Sequence, residues 1–273
     1  MCYNGIKVVD DVYEILNELL SDRKGGVTFA CFDVWHLCWI GAFFAIIVFS
    51  CILLKDKSEE AKQKALTTCI NLAFGLYIAD FFLMPFAFGK IEIEKLPFHI
   101  CTAMCIMCFL SRHTAFFAKF RVQFAVYGLI SNFVYLIYPA GVMWQQVHPF
   151  SYRVTQTLVF HGVMTVYGVL ALMFDDDQWK PRKWYKDLSV IVAMTLWAML
   201  GNYLYNGEVG ANSHFFNWFF VVRDPFYLIP EDVAPLIMPL LNVGLFFGVN
   251  MLIRWTCASI RAQIRKRQTD GHI

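Results

Sequence analysis

The run Leu96-Pro97-Phe98-His99-Ile100-Cys101 carries the densest chemistry in this chain. A proline fits the first turn of a helix, where its missing N–H costs no hydrogen bond. With Pro97 in that place, the N–H groups of Phe98, His99 and Ile100 have no partner inside the helix. The positive end of the helix dipole lies behind them, which suits an anion or a developing oxyanion. A helix N-terminus of this kind also activates a nearby thiol. Cys101 then reads as a nucleophile that takes an acyl group as a thioester, with His161 as base and later acid. His99 does not serve as that base, because residues two apart on a helix point about 200° away from each other. Gly162, next to His161, leaves room for a close helix or a ligand beside the imidazole.

The remaining candidates are polar groups inside apolar stretches, where an ionisable or amide side chain is costly and marks function by default. At 1.5 Å per residue, Asp80 lies about 12 Å below the outer end of its stretch, Asn132 about 10 Å and His161 about 12 Å below theirs. Asn202 and Asn242 fall in the outer halves of the last two stretches. Gathered in one bundle, Asp80, His99, Asn132, His161, Asn202 and Asn242 would line a polar chamber open to the outer side, with Asp80 placed to orient a histidine. Each also has a plainer role: the asparagines as helix–helix glue, Cys101 as packing, His99 and His161 as members of a structural hydrogen-bond network. Asp33 and His36 sit shallower, and His113, His148, His214 and His272 read as interfacial or exposed. The nine cysteines include Cys38, Cys51, Cys69, Cys101, Cys105 and Cys108 inside apolar stretches, where cysteine behaves as a small hydrophobe. Cys101, Cys105 and Cys108 have the spacing of an iron–sulfur ligand set, but on a helix i, i+4, i+7 makes one stripe. No disulfide framework, metal or cofactor is expected.

These residues must be positioned by membrane helices. The chain has 273 residues, 58% hydrophobic, 17% aromatic and 16% charged, with a net charge of +2. That composition excludes disorder, collagen and disulfide scaffolds, and offers nucleic acid no basic patch. A span needs about 20 apolar residues. Six segments meet this, at 32–54, 67–88, 122–140, 154–174, 187–205 and 233–253; a seventh, 97–117, is weaker, with Arg112 extending its charge to the interface. Sixteen of the 23 Lys and Arg fall on one side of this arrangement. Short cytoplasmic loops collect such residues, so the pattern predicts an all-α seven-helix bundle with the N-terminus outside and the C-terminus cytoplasmic. Residues 1–31 read as an amphipathic outer-face helix broken by Gly25-Gly26, not as a signal peptide. Residues 32–254 form the transmembrane domain, and 255–273 a basic cytoplasmic tail near anionic lipid heads. The aromatic segment 214–231, interrupted by Arg223, Asp224, Pro225 and Pro230, reads as an interfacial or re-entrant stretch, either a lid or an aromatic belt.

The Leu96–Cys101 run, a fourth span ending in Pro139, His161-Gly162 and Asp224-Pro225-Phe226-Tyr227 together resemble the YwaF-like family of bacterial integral membrane proteins. That family is similar to the animal transmembrane protein 164. The likeness covers roughly residues 35–255. It implies a seven-helix bundle of the bacterial cytoplasmic membrane and, through the animal relative, a phospholipid acyltransferase working by a cysteine and a histidine. His161 matches the family histidine. The animal cysteine precedes the other histidine, where this chain has Phe98; here the cysteine follows two residues later, at Cys101. The expected partners are membrane lipids. The alternative is a non-enzymatic small-molecule carrier or receptor, supported by Pro85, Pro139, Pro235 and Pro239 as sites of kinked helices. A third is a subunit with no chemistry of its own. The last span has no interior lysine for a retinal Schiff base.

Overall fold

The computed structural model describes residues 14, 27–88, 93–139, 147–175, 183–206 and 216–270. The expected outer-face helix of residues 1–31 lies almost wholly outside them. The long helices among them are α1 (Val34–Leu54), α2 (Glu59–Phe88), α3 (Ile100–His113), α4 (Arg121–Ile137), α5 (Tyr152–Phe174), α6 (Trp184–Asn206) and α7 (Ala234–Asp270), and no strand is present. Short helical turns occur at Ile93–Lys95, Ala115–Ala118 and Trp218–Phe220. Five helices, α1, α2, α5, α6 and α7, are long and apolar enough to cross a membrane. The third and fourth expected spans are shorter: α3 has 14 residues and α4 has 17. At 1.5 Å per residue these reach about 21 and 26 Å, against a hydrocarbon core of about 30 Å.

Local chemistry explains where the helices begin. Asp33 caps α1, its carboxylate accepting from the N–H groups of Ala30 at 2.9 Å and His36 at 2.7 Å. The Ser58 hydroxyl accepts from Ala61 N–H, and Glu59 and Glu60 stand at the positive end of the dipole. That cap starts α2 eight residues ahead of the expected span, as a polar turn outside the apolar part. At the other end of the chain α7 continues through Arg254 to Asp270, so the basic tail is helical where it leaves the apolar stretch. There Arg261 donates to the Leu172 carbonyl.

The chain divides into two compact units: residues 1–96 with 132–166, and residues 97–131 with 167–273. In the first, α1 exposes Val34, Leu37, Phe44, Phe49 and Ile52, as a helix bathed in lipid would. His36 is an exception on it. It is fully buried, accepts from Phe32 N–H on Nδ1 and bonds the Leu136 carbonyl through Nε2, both at 2.9 Å. In the second unit, α6 packs against α3 and α7.

Candidate functional site

In the second unit α3 begins at Ile100, not at Pro97. His99 is the residue before it, extended at φ −73° and ψ 141°, and its side chain makes no capping hydrogen bond. Ala103 N–H is the first donor to reach back into the turn, to the His99 carbonyl at 3.0 Å. The N–H groups without a carbonyl four residues back in the helix are therefore those of Ile100, Cys101 and Thr102. Only Ile100 belongs to the trio expected from the sequence; the N–H of Phe98 lies in the preceding turn. Packing sets this start. The Pro97 carbonyl accepts from the indole of Trp197 at 2.7 Å. The Phe98 ring lies 4.9 Å from that of Trp197, 5.0 Å from Trp218 and 5.9 Å from Tyr205. It rests against Gly201, where an added Cβ would stand 2.4 Å from it. Cys101 is half-buried, with the Ser131 hydroxyl within hydrogen-bonding reach of its thiol. Cys105 and Cys108 continue the stripe inward and are buried.

Two of the asparagines expected to line the chamber, Asn202 and Asn242, are committed to the segment after α6. Asn202 and Asn206 lie one turn apart, about 6 Å along the helix, close to the two-residue repeat of an extended chain. Each side-chain amide therefore acts as a strand neighbour would. Asn206 bonds the N–H of Phe216 at 2.8 Å and its carbonyl at 2.7 Å; Asn202 bonds both groups of Trp218 at 3.0 Å. From α7, Asn242 donates to the Phe219 carbonyl at 2.6 Å. Phe216, Trp218 and Phe219 are buried as a result. Phe219 and Phe220 have φ of 56° and 51°, a left-handed backbone unusual for bulky residues and held by these bonds. The Phe220 ring reaches that of His99 at 6.2 Å. The second unit thus brings Phe98, His99, Asn202 and Asn242 together around this segment.

Further on, Asp224 accepts from the N–H groups of Phe226 at 2.9 Å, Leu228 at 2.8 Å and Ile229 at 3.0 Å. These donors, Phe226 foremost, hold its carboxyl below the usual carboxylate range. A depressed value stabilises the turn above the ordinary aspartate pKa of about 3.9, and the stabilisation disappears as pH falls through the lower value. Amide exchange corrected for intrinsic rates should show residues 226, 228 and 229 protected at neutral pH and losing protection in acid below that range. Asp224→Asn should flatten the dependence; an unchanged acid profile in that variant would refute the assignment.

In the first unit His161 stacks on Tyr135 at 4.0 Å and 13° and meets Phe160 edge-on. Its Nδ1 lies 2.7 Å from the Thr157 carbonyl. A carbonyl only accepts, so Nδ1 is the donor in this bond. Gly162 is filled against α1: an added Cβ would stand 2.3 Å from the Phe43 ring. Asp80 does not orient a histidine. Its buried carboxylate pairs with Lys95 at 2.7 Å and bonds the Tyr152 hydroxyl. Asn132 is fully buried on α4, three residues before Tyr135. Of the expected chamber residues, Asp80, Asn132 and His161 belong to the first unit, and Phe98 to Cys101, Asn202 and Asn242 to the second.

Two buried ion pairs in the second unit went unpredicted. Arg254 pairs with Asp187, which also accepts from Asn250 at 3.3 Å, while the Asp187 carbonyl accepts from Tyr127 at 2.8 Å. Arg112 pairs with Asp175 and donates to the Tyr167 hydroxyl at 3.2 Å. Its charge is neutralised inside the protein and does not extend to the interface. The available signal was opposite charges at matching ends of apolar stretches, Asp187 opening one and Arg254 closing another.

Apolar helices of membrane length, Leu and Phe exposed along them, and the buried Arg254–Asp187 and Arg112–Asp175 pairs define a helical multi-pass membrane protein. Residues 31–250 match the model of the TMEM164 family, and the chain belongs to that family. No curated protein and no solved structure gives a match.

Proposed function

We propose that this TMEM164-family protein handles phospholipids in the bacterial cytoplasmic membrane and transfers an acyl group through Cys101. It crosses seven times, α3 and α4 included, with the N-terminus outside and the C-terminus in the cytoplasm; the bias of basic residues supports this orientation. One observation carries the chemistry: a half-buried thiol on the second residue of a helix whose first turn has no side-chain cap. The sulfur attacks the ester carbonyl of a lipid. The oxyanion meets first-turn N–H groups, and the ester oxygen leaves with a proton as the thioester forms. A lysolipid hydroxyl then attacks the thioester and takes the acyl group. His161 is assigned proton transfer on its residue type, since an imidazole both accepts and returns a proton near neutral pH. Cys101 and His161 belong to separate units, and the assignment rests on each by itself.

The test uses the full chain in lipid vesicles with an isotope-labelled phospholipid donor and a lysolipid acceptor. Cys101→Ser should remove both acyl exchange and a hydroxylamine-sensitive acyl adduct on that residue. His161→Ala should slow exchange by about 10²–10⁴-fold, the usual range for a lost acid–base group. Wild-type exchange in both variants would sink the enzyme reading. It would favour a carrier built on the proline-bearing helices α2 and α7, which hold Pro85 and Pro239.

A further inference from the structure

The sequence leaves the aromatic segment 214–231 open as a lid or an interfacial belt, and the described part divides into two portions of opposite character. Residues 216–219 are packed into the protein. Phe226, Tyr227 and Leu228 are 75%, 77% and 82% exposed. Three consecutive large apolar side chains stand clear of the molecule on a backbone built to hold them there. Asp224 gathers three N–H groups from the turn. Arg223 and Glu231 close its base at 3.1 Å. Asn217 fixes the approach by bonding the Arg223 carbonyl at 2.7 Å and accepting from the N–H groups of Val222 and Arg223 at 3.1 Å. Tyr227 is held at φ 57°, an unfavourable conformation that persists only where the surroundings impose it.

We propose that this tip, residues 225–230, is embedded in the interfacial region of the bilayer as a preformed lipid anchor. Three observations point to lipid over a protein partner. The tip reads Pro-Phe-Tyr-Leu-Ile-Pro and carries no charged side chain, while at its base Arg223 pairs with Glu231 and backbone N–H groups take up the Asp224 carboxylate. It joins the start of a membrane helix directly: the Pro230 carbonyl accepts from Val233 and Ala234, the first turn of α7. That places the tip at the depth where a span meets the headgroups. The exposed apolar surface then continues along α7 through Leu236 and Leu240, each 75% exposed. An amphipathic aromatic such as Tyr227 suits this level of the membrane. The anchor is independent of the acyl-transfer reading. Through Asn202, Asn206 and Asn242 it ties the ends of α6 and α7 to the lipid surface.

The test places a genetically encoded diazirine residue at Leu228 in the full chain, in vesicles of phosphatidylcholine and phosphatidylglycerol. Leu240 serves as the lipid-facing reference and Glu60, exposed at the start of α2, as the aqueous one. After photolysis, mass spectrometry should find phospholipid adducts at 228 within three-fold of those at 240 and at least ten-fold above those at 60. Asp224→Ala should lower the yield at 228 by three-fold or more and leave 240 unchanged. Water adducts at the level of Glu60, or crosslinks to protein in place of lipid, would overturn the anchor. An Asp224→Ala yield equal to wild type would overturn the role of the turn in aiming it.

Discussion

Asp187→Leu is expected to cost about 3–5 kcal/mol, because it leaves the Arg254 guanidinium buried without its counter-ion. Arg254 is 4% exposed and Asp187 is fully buried, so neither charge can be rescued by water. Arg254→Met should cost about as much for the mirror-image reason, stranding the carboxylate without its cation beside the Asn250 amide. The double variant, Asp187→Leu with Arg254→Met, removes both charges and should be milder than either single change, since a buried pair replaced by apolar groups of similar size is often near neutral. Tyr127 donates to the backbone carbonyl of Asp187, not to its carboxylate, so that bond survives all three changes. Unfolding of the detergent-solubilised protein against a denaturing detergent, followed by circular dichroism, reads the order directly. Additive losses in the double variant would refute the coupling.

A methyl group on Gly162 should reverse the sign of an ordinary glycine-to-alanine change. In a helix interior alanine is favoured by about 0.5–1 kcal/mol. Here the new Cβ would meet three atoms of the Phe43 ring at 2.3–2.4 Å, and that ring is itself buried. Forcing it aside should cost about 1–3 kcal/mol, the range for overpacked cores. Adding Phe43→Leu should recover much of the loss by vacating the space. Gly75, in α2, meets nothing within 4 Å, so Gly75→Ala should be neutral to stabilising in the same unfolding measurement. Equal effects at 75 and 162 would show that helix propensity, not the ring, decides.

The contrast between these two sites bears on what could be read in advance. Gly162 was legible as room for a close helix or a ligand beside His161, and the structure gives that room to a neighbouring helix. That Phe43 from α1 fills the space was not, because many aromatic residues in this chain could have done so. Helix starts behaved similarly. Asp33 and Ser58 are of residue types suited to capping, a role not assigned to them from the sequence, and the structure uses both. Pro97 also looked like a start, yet α3 waits until Ile100, because the Phe98 ring and the Pro97 carbonyl are claimed by aromatic residues a hundred positions away. Tertiary packing outweighed a local preference of a fraction of a kcal/mol.

Composition and the length of the apolar runs determined on their own that this chain is a helical membrane protein, since in lipid the backbone must satisfy its hydrogen bonds within each segment. They also marked the polar residues worth attention, because burying such a group is costly whatever its partner. Which partner each one found was decided only in three dimensions. Asp80 met Lys95, and Asn202 and Asn242 met the backbone beyond α6. Pairings of this kind depend on helix rotation and register, and a shift of one residue turns a side chain by about 100° and gives it a different neighbour.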